Sequence, residues 1–116
     1  MTATLYDAIG GRDVLVTLVD GLYERLVVDS TVRHHFSAER LPSLKEAQVL
    51  WFEAVLQGQE PPGDLRAIHA HLDIADDDIN AVIGHLGAVL GELGTDHRVR
   101  RGILALVSRL WHARDF

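Results

Sequence analysis

The stretch Asp64-Leu-Arg-Ala-Ile-His69-Ala-His71-Leu-Asp-Ile74 sets one histidine among aliphatic neighbours, just ahead of a long helical run. Ile68 and Leu72 lie four residues apart on either side of His69, and a helical turn there carries the imidazole toward a buried surface. An imidazole in that setting has two uses. It is a core histidine satisfied by a backbone carbonyl, or it is the ligand of a transition metal, bare or held in a haem. A zinc site made from His69, His71 and His85 fits poorly, because residues two apart on a helix point away from each other.

The flanking sequence is built from helical periods. Thr4 opens a short helix with Asp7 as the acid of a capping box and Leu5 and Ile9 on one face, and Gly10-Gly11 ends it. From Asp13, the residues Val14, Leu15, Leu18, Val19, Leu22, Tyr23, Leu26 and Val27 keep the 3.6-residue repeat of a long amphipathic helix. Asp29-Ser30 breaks the repeat and caps one further turn, Val32 to Phe36, after which Ser37 to Pro42 reads as a connection. Pro42-Ser43 starts a helix whose inner face carries Leu44, Gln48, Trp51, Phe52 and Val55. Gln48 is a polar residue in an apolar stripe. A buried amide without a partner costs about 1–3 kcal/mol, so Gln48 either sits at the stripe's edge or faces something with a polar atom.

Beyond it, Gly58 to Gly63, with Pro61-Pro62 inside, is a loop, and the His69 segment follows. Asp76-Asp77-Asp78 marks a helix N-terminus, its acids too closely spaced for a calcium loop. That helix runs through Ile79, Val82, Ile83, Leu86, Val89, Leu90 and Leu93 to Gly94. Asp96 begins a last one through Val99, Ile103, Leu106, Val107, Leu110 and Trp111. No strand pattern, repeat or low-complexity stretch occurs, so the expectation is one all-α domain over 1–116 with four long helices.

Composition narrows the chemistry. Of 116 residues, 47% are hydrophobic and 24% charged, the balance of a globular domain. A formal charge of −6 argues against a nucleic-acid partner, which needs a basic stripe. Cysteine is absent, which removes disulfides, thiolate catalysis and iron–sulfur clusters and leaves imidazole and carboxylate as the strong metal ligands. No stretch approaches the roughly 18 apolar residues of a membrane span, and no basic-then-apolar leader opens the chain, so a cytoplasmic address is expected.

Taken together, Gly10-Gly11 after Leu5-Tyr6, Leu22-Tyr23-Glu24-Arg25, Phe36, Leu44-Lys45-x-x-Gln48 and Ile68-His69 followed by Ile74 resemble a group I truncated haemoglobin over nearly the whole chain. The resemblance implies a truncated globin fold, a two-over-two helical sandwich around haem b. By the same resemblance His69 is the proximal iron ligand, Tyr23 and Gln48 are distal hydrogen-bond donors, Phe36 packs against the porphyrin and Leu44 lies over the sixth position. Trp51, Phe52, Ile68, Leu72, Ile74 and Val82 complete the expected haem pocket, and Val82, where the other two groups carry Trp, points to group I. Trp111-His112-Ala113-Arg114-Asp115 is similar to the end of some cyanobacterial members, in which the histidine can bond covalently to a haem vinyl carbon.

The implied activity is binding of O2, NO or another diatomic ligand at five-coordinate iron by a monomer or weak oligomer. NO dioxygenation would need a separate reductase, since no flavin or nicotinamide motif is present. A six-coordinate sensor or electron-transfer module and a haem-free helical interaction domain are the alternatives. Several positions depart from the family pattern. The loop around Gln57-Gly58 and Pro61-Pro62-Gly63 is two residues shorter, Ser43 replaces a basic residue that pairs with a propionate, and Lys45 or Arg40 is the candidate substitute. His35 replaces a common Phe, and Ala47 stands where some members carry a histidine able to close the sixth position.

Overall fold

Two helix pairs make up the chain, and the computed structural model describes residues 4–60 and 76–112 of it. Among the described residues the helices are α1 (Leu5–Ile9), α2 (Arg12–Leu26), α3 (Leu41–Val55), α4 (Asp76–Glu92) and α5 (His97–His112), with a 3-10 turn at Arg33–His35. α2 packs on α3, α4 packs on α5, and α2 against α4 joins the pairs, while α1 bridges α2 and α5. Among the described residues there is no strand, and no helix is long and apolar enough to cross a membrane.

Local chemistry sets the ends. The Asp7 amide donates to Thr4 Oγ1 at 3.2 Å while the Thr4 amide donates to the Asp7 carboxylate at 3.3 Å, a complete capping box. Gly10 then takes φ 116°, and its Cβ-free backbone lets Val14 approach so closely that an added Cβ would lie 2.7 Å from Val14 Cγ2. No L-residue with a side chain fits there without strain. α3 starts at Leu41, one residue ahead of the expected Pro42, because the Arg40 carbonyl already accepts the Leu44 amide at 3.0 Å. At the other end of the chain the Asp96 carboxylate accepts the Arg98 amide at 2.9 Å, opening α5 where the sequence places it.

Leu15, Leu18, Val19, Leu22 and Leu26 of α2 are buried against Leu86, Val89 and Leu90 of α4 and against the inner face of α3, and Ile103, Val107 and Trp111 of α5 close the core. The buried stripes follow the 3.6-residue repeats, except that Leu93, expected in the α4 stripe, lies past the helix end at Glu92 and is exposed. At the α2–α4 crossing, a Cβ on Gly21 would stand 3.0 Å from Val89 Cγ1, so this glycine sets how closely the two pairs approach.

Candidate functional site

Tyr23 lies on the buried face of α2 at 4% exposure, in the same stripe as Leu15, Leu22 and Leu26. Its ring meets that of Phe36 edge-to-face, centroids 5.6 Å apart and planes at 85°. Phe36 reaches it because the 3-10 turn ends there in extended backbone, φ −118° and ψ 125°. Burial pushes the Tyr23 phenol well above its ordinary value, so the hydroxyl keeps its proton and remains a donor.

Gln48 is the buried polar residue of the described core, at 7% exposure on the inner face of α3 between Leu44 and the Trp51–Phe52 pair. Those two rings cross at 5.2 Å and 80°, and both residues are buried. Neither the Tyr23 hydroxyl nor the Gln48 amide has a hydrogen-bond partner among the described residues. Of the two placements the sequence allows for Gln48, the buried one is found. Two packed helices, α2 and α3, thus each bury a polar side chain with unused hydrogen-bonding capacity, a phenol on one and an amide on the other.

Leu44, Trp51 and Phe52 are buried, Val82 is half-buried against the same core from α4, and Ala47 beside Gln48 offers no donor atom. Ile68, His69, Leu72 and Ile74 lie outside the described residues, and so does the side chain of His112 at the end of α5. Of the two candidate propionate partners, Lys45 pairs with Asp20 at 3.3 Å on the outside of the α2–α3 contact, and Arg40 is exposed.

Two histidine–carboxylate pairs were not legible from residue type alone. His35 Nε2 lies 3.1 Å from Asp78 Oδ2, so Asp78 does more than favour the start of α4. His85 Nε2 lies 2.6 Å from Asp29 Oδ2, Arg25 Nε donates to His85 Nδ1 at 3.2 Å, and Arg25 donates in turn to Glu92 at 2.9 Å. With both ring nitrogens engaged, His85 is a clip between α4 and the turn after α2 rather than a zinc ligand. Among the described residues no three candidate ligands gather around one point. The His85 hydrogen bond, then the Thr31 amide, holds the Asp29 carboxyl below the usual carboxylate range.

This fold has counterparts among known proteins. The chain is 29% identical over 110 residues to the group 1 truncated haemoglobin of Mycolicibacterium paratuberculosis, an alignment covering 93% of this chain and 81% of that one. The 2/2 haemoglobin of a Synechococcus species, solved in the cyanomet state with covalently attached haem, superposes with a TM-score of 0.85 at 23% identity over 97% of both chains. The haemoglobin of Chloroflexus aurantiacus superposes with a TM-score of 0.72 at 29% identity, covering 97% of this chain and 95% of the other. The family model for bacterial-like globins matches residues 4–115. With its two packed helix pairs and these relatives, the chain belongs to the bacterial-like globin family and has the two-over-two fold of the truncated haemoglobins.

Proposed function

We propose that this chain binds O2 and other diatomic ligands reversibly at a haem b held by His69, with Tyr23 and Gln48 as the distal donors. Haem is the group that globins carry, and when bound it supplies a ferrous iron that takes up a diatomic ligand and places partial negative charge on it. The observation that supports the reading is the pair of buried polar groups without partners among the described residues, Tyr23 on α2 and Gln48 on α3. Protein cores rarely leave such groups unsatisfied, and a ligand that arrives bearing negative charge satisfies both. The distal donor set therefore fits haem.

The chain's own residues divide the work. Tyr23, held protonated by burial, donates to the ligand, and Gln48 donates from the facing helix. Leu44, Trp51 and Phe52 keep water from competing for those donors, which raises the worth of each hydrogen bond. Phe36, edge-on to Tyr23, would pack against the porphyrin as well. By the family resemblance, Ile68, Leu72, Ile74 and Val82 would line the side of the haem that His69 ligates. His112 would link covalently to a vinyl group. Ala47 supplies no imidazole, so a haem held by His69 would not gain a sixth protein ligand from this position. Turnover of NO to nitrate would draw its electrons from a separate reductase.

Spectrophotometric O2 titration of the anaerobically reduced protein tests the reading. One O2 per haem, released on purging, is expected. A ferrous spectrum that is six-coordinate before any ligand is added and unchanged by O2 would overturn it in favour of an electron-transfer or sensing role.

A further inference from the structure

Between α2 and α3 the chain crosses the top of Tyr23 on a single 3-10 turn, and what holds that turn is not the turn itself. Three residues of 3-10 helix are intrinsically marginal, and Val32, at its start, gives it no side-chain cap. The tie comes from α4. His35 Nε2 lies 3.1 Å from Asp78 Oδ2 with only 8% of the histidine side chain and 17% of the aspartate side chain exposed. An ionised carboxylate only accepts, so the Nε2 proton points at Asp78. His34 lies against the outer face of the same imidazole, ring centroids 4.0 Å apart.

The next residue is Phe36, whose ring stands 6.3 Å from that of His35 and 5.6 Å from that of Tyr23, near-perpendicular to both. The contacts are thus continuous from Asp78 on α4 through His35 and Phe36 to the Tyr23 phenol. The Tyr23 hydroxyl has no polar partner among the described residues, so packing alone aims it, and the Phe36 edge is the aromatic part of that packing.

We propose that the His35–Asp78 pair positions the distal donor: it pins Phe36 on Tyr23 and so fixes the direction in which the Tyr23 hydroxyl points. His35 is a positioning residue that never touches ligand. The inference rests on Tyr23 being the ligand's donor. A donor displaced by a fraction of an ångström loses much of its bond, because hydrogen bonds weaken steeply with angle.

The haem-bound protein offers a direct test, since the chain has two tyrosines, Tyr6 and Tyr23. Uniform 3-fluorotyrosine labelling gives two fluorine lines in the diamagnetic carbonmonoxy form, and Tyr6→Phe assigns them. His35→Ala should shift and broaden the Tyr23 line while leaving the Tyr6 line in place. His35→Gln, whose amide can still donate to Asp78, should restore it. In parallel, His35→Ala should raise the O2 dissociation rate about three- to ten-fold, less than loss of the donor itself, and should have no effect in a Tyr23→Phe background. Should His35→Ala fail to fold, Asp78→Ala, which removes the acceptor of the His35 ring proton, takes its place with the same expectations. An unmoved Tyr23 line, or equal acceleration with and without the Tyr23 hydroxyl, overturns the inference while the donor role of Tyr23 stands. If Tyr23→Phe alone leaves dissociation unchanged, the donor role fails and the positioning role fails with it.

Discussion

Replacing Tyr23 by Phe removes one oxygen from the core and should act in opposite directions on ligand retention and on stability. In the ligand-free protein the hydroxyl is largely buried and has no partner among the described residues, so it carries part of an unmet desolvation cost. Such a group costs about 1–3 kcal/mol, and the ring, its edge contact with Phe36 at 5.6 Å and its volume all survive the substitution. Tyr23→Phe should therefore stabilise the ligand-free protein by roughly 1 kcal/mol, or about 3–6 °C in Tm for a domain of this size. With O2 bound the sign reverses. The lost hydrogen bond is one made in a dry pocket, and a loss of about 1.4 kcal/mol speeds dissociation ten-fold. Stopped-flow displacement of O2 and thermal unfolding of the deoxygenated ferrous protein read the two effects on one preparation. Gln48→Leu should behave likewise, and the double variant should fall short of the product of the singles because both donors share one acceptor. A variant that is destabilised without ligand, or one that releases O2 at the parent rate, would mean that the phenol is satisfied within the protein and serves packing.

Other consequences follow from particular residues. Asp29, held below the ordinary carboxylate value by His85 and the Thr31 amide, stabilises the fold above its unfolded-state pKa of 3.8, and that stability fades as pH falls through the lower folded value. The difference in urea midpoint between the parent and Asp29→Asn should thus be largest near neutrality and vanish in strong acid, and a difference that persists there would assign it to something other than charge. Gly10→Ala should cost roughly 1–3 kcal/mol, because the new Cβ meets Val14 Cγ2 at 2.7 Å on a backbone at φ 116°; an unchanged Tm would mean that the α1–α2 corner yields freely. If His112 links to the porphyrin, denaturing chromatography with mass detection after dithionite treatment should find haem mass on the chain, lost in His112→Ala; full separation of haem from the parent chain rules the link out.

The helices and their inner faces were readable because burial imposes a period. Thr4 with Asp7, Gly10, Asp96 and the Leu/Val repeats of α2 each declare a helix end or a buried stripe by local chemistry alone, and each stands where that chemistry puts it. Gln48 was conspicuous for the same reason, as a polar residue inside an apolar period. His35–Asp78 and Arg25–His85–Asp29 were not legible, because their partners are 43, 60 and 56 residues apart and each residue taken singly resembles a solvated one. Asp78 shows the difficulty best: three consecutive aspartates at a helix start already have a sufficient local explanation in the macrodipole, which hides a tertiary role for one of them. Lys45, a candidate propionate partner by the family pattern, pairs here with Asp20, a contact 25 residues away that no local pattern announces.

The absorption spectrum of the purified protein, reduced under nitrogen, tests the axial role of His69 most directly. The parent chain should show the single broad visible band and Soret maximum of five-coordinate, histidine-ligated ferrous haem. His71→Ala should be indistinguishable from it, and His69→Ala should lose haem or the histidine-ligated spectrum. A His69→Ala protein that retains the parent spectrum, or a parent protein that takes up no haem, would contradict the assignment of the site.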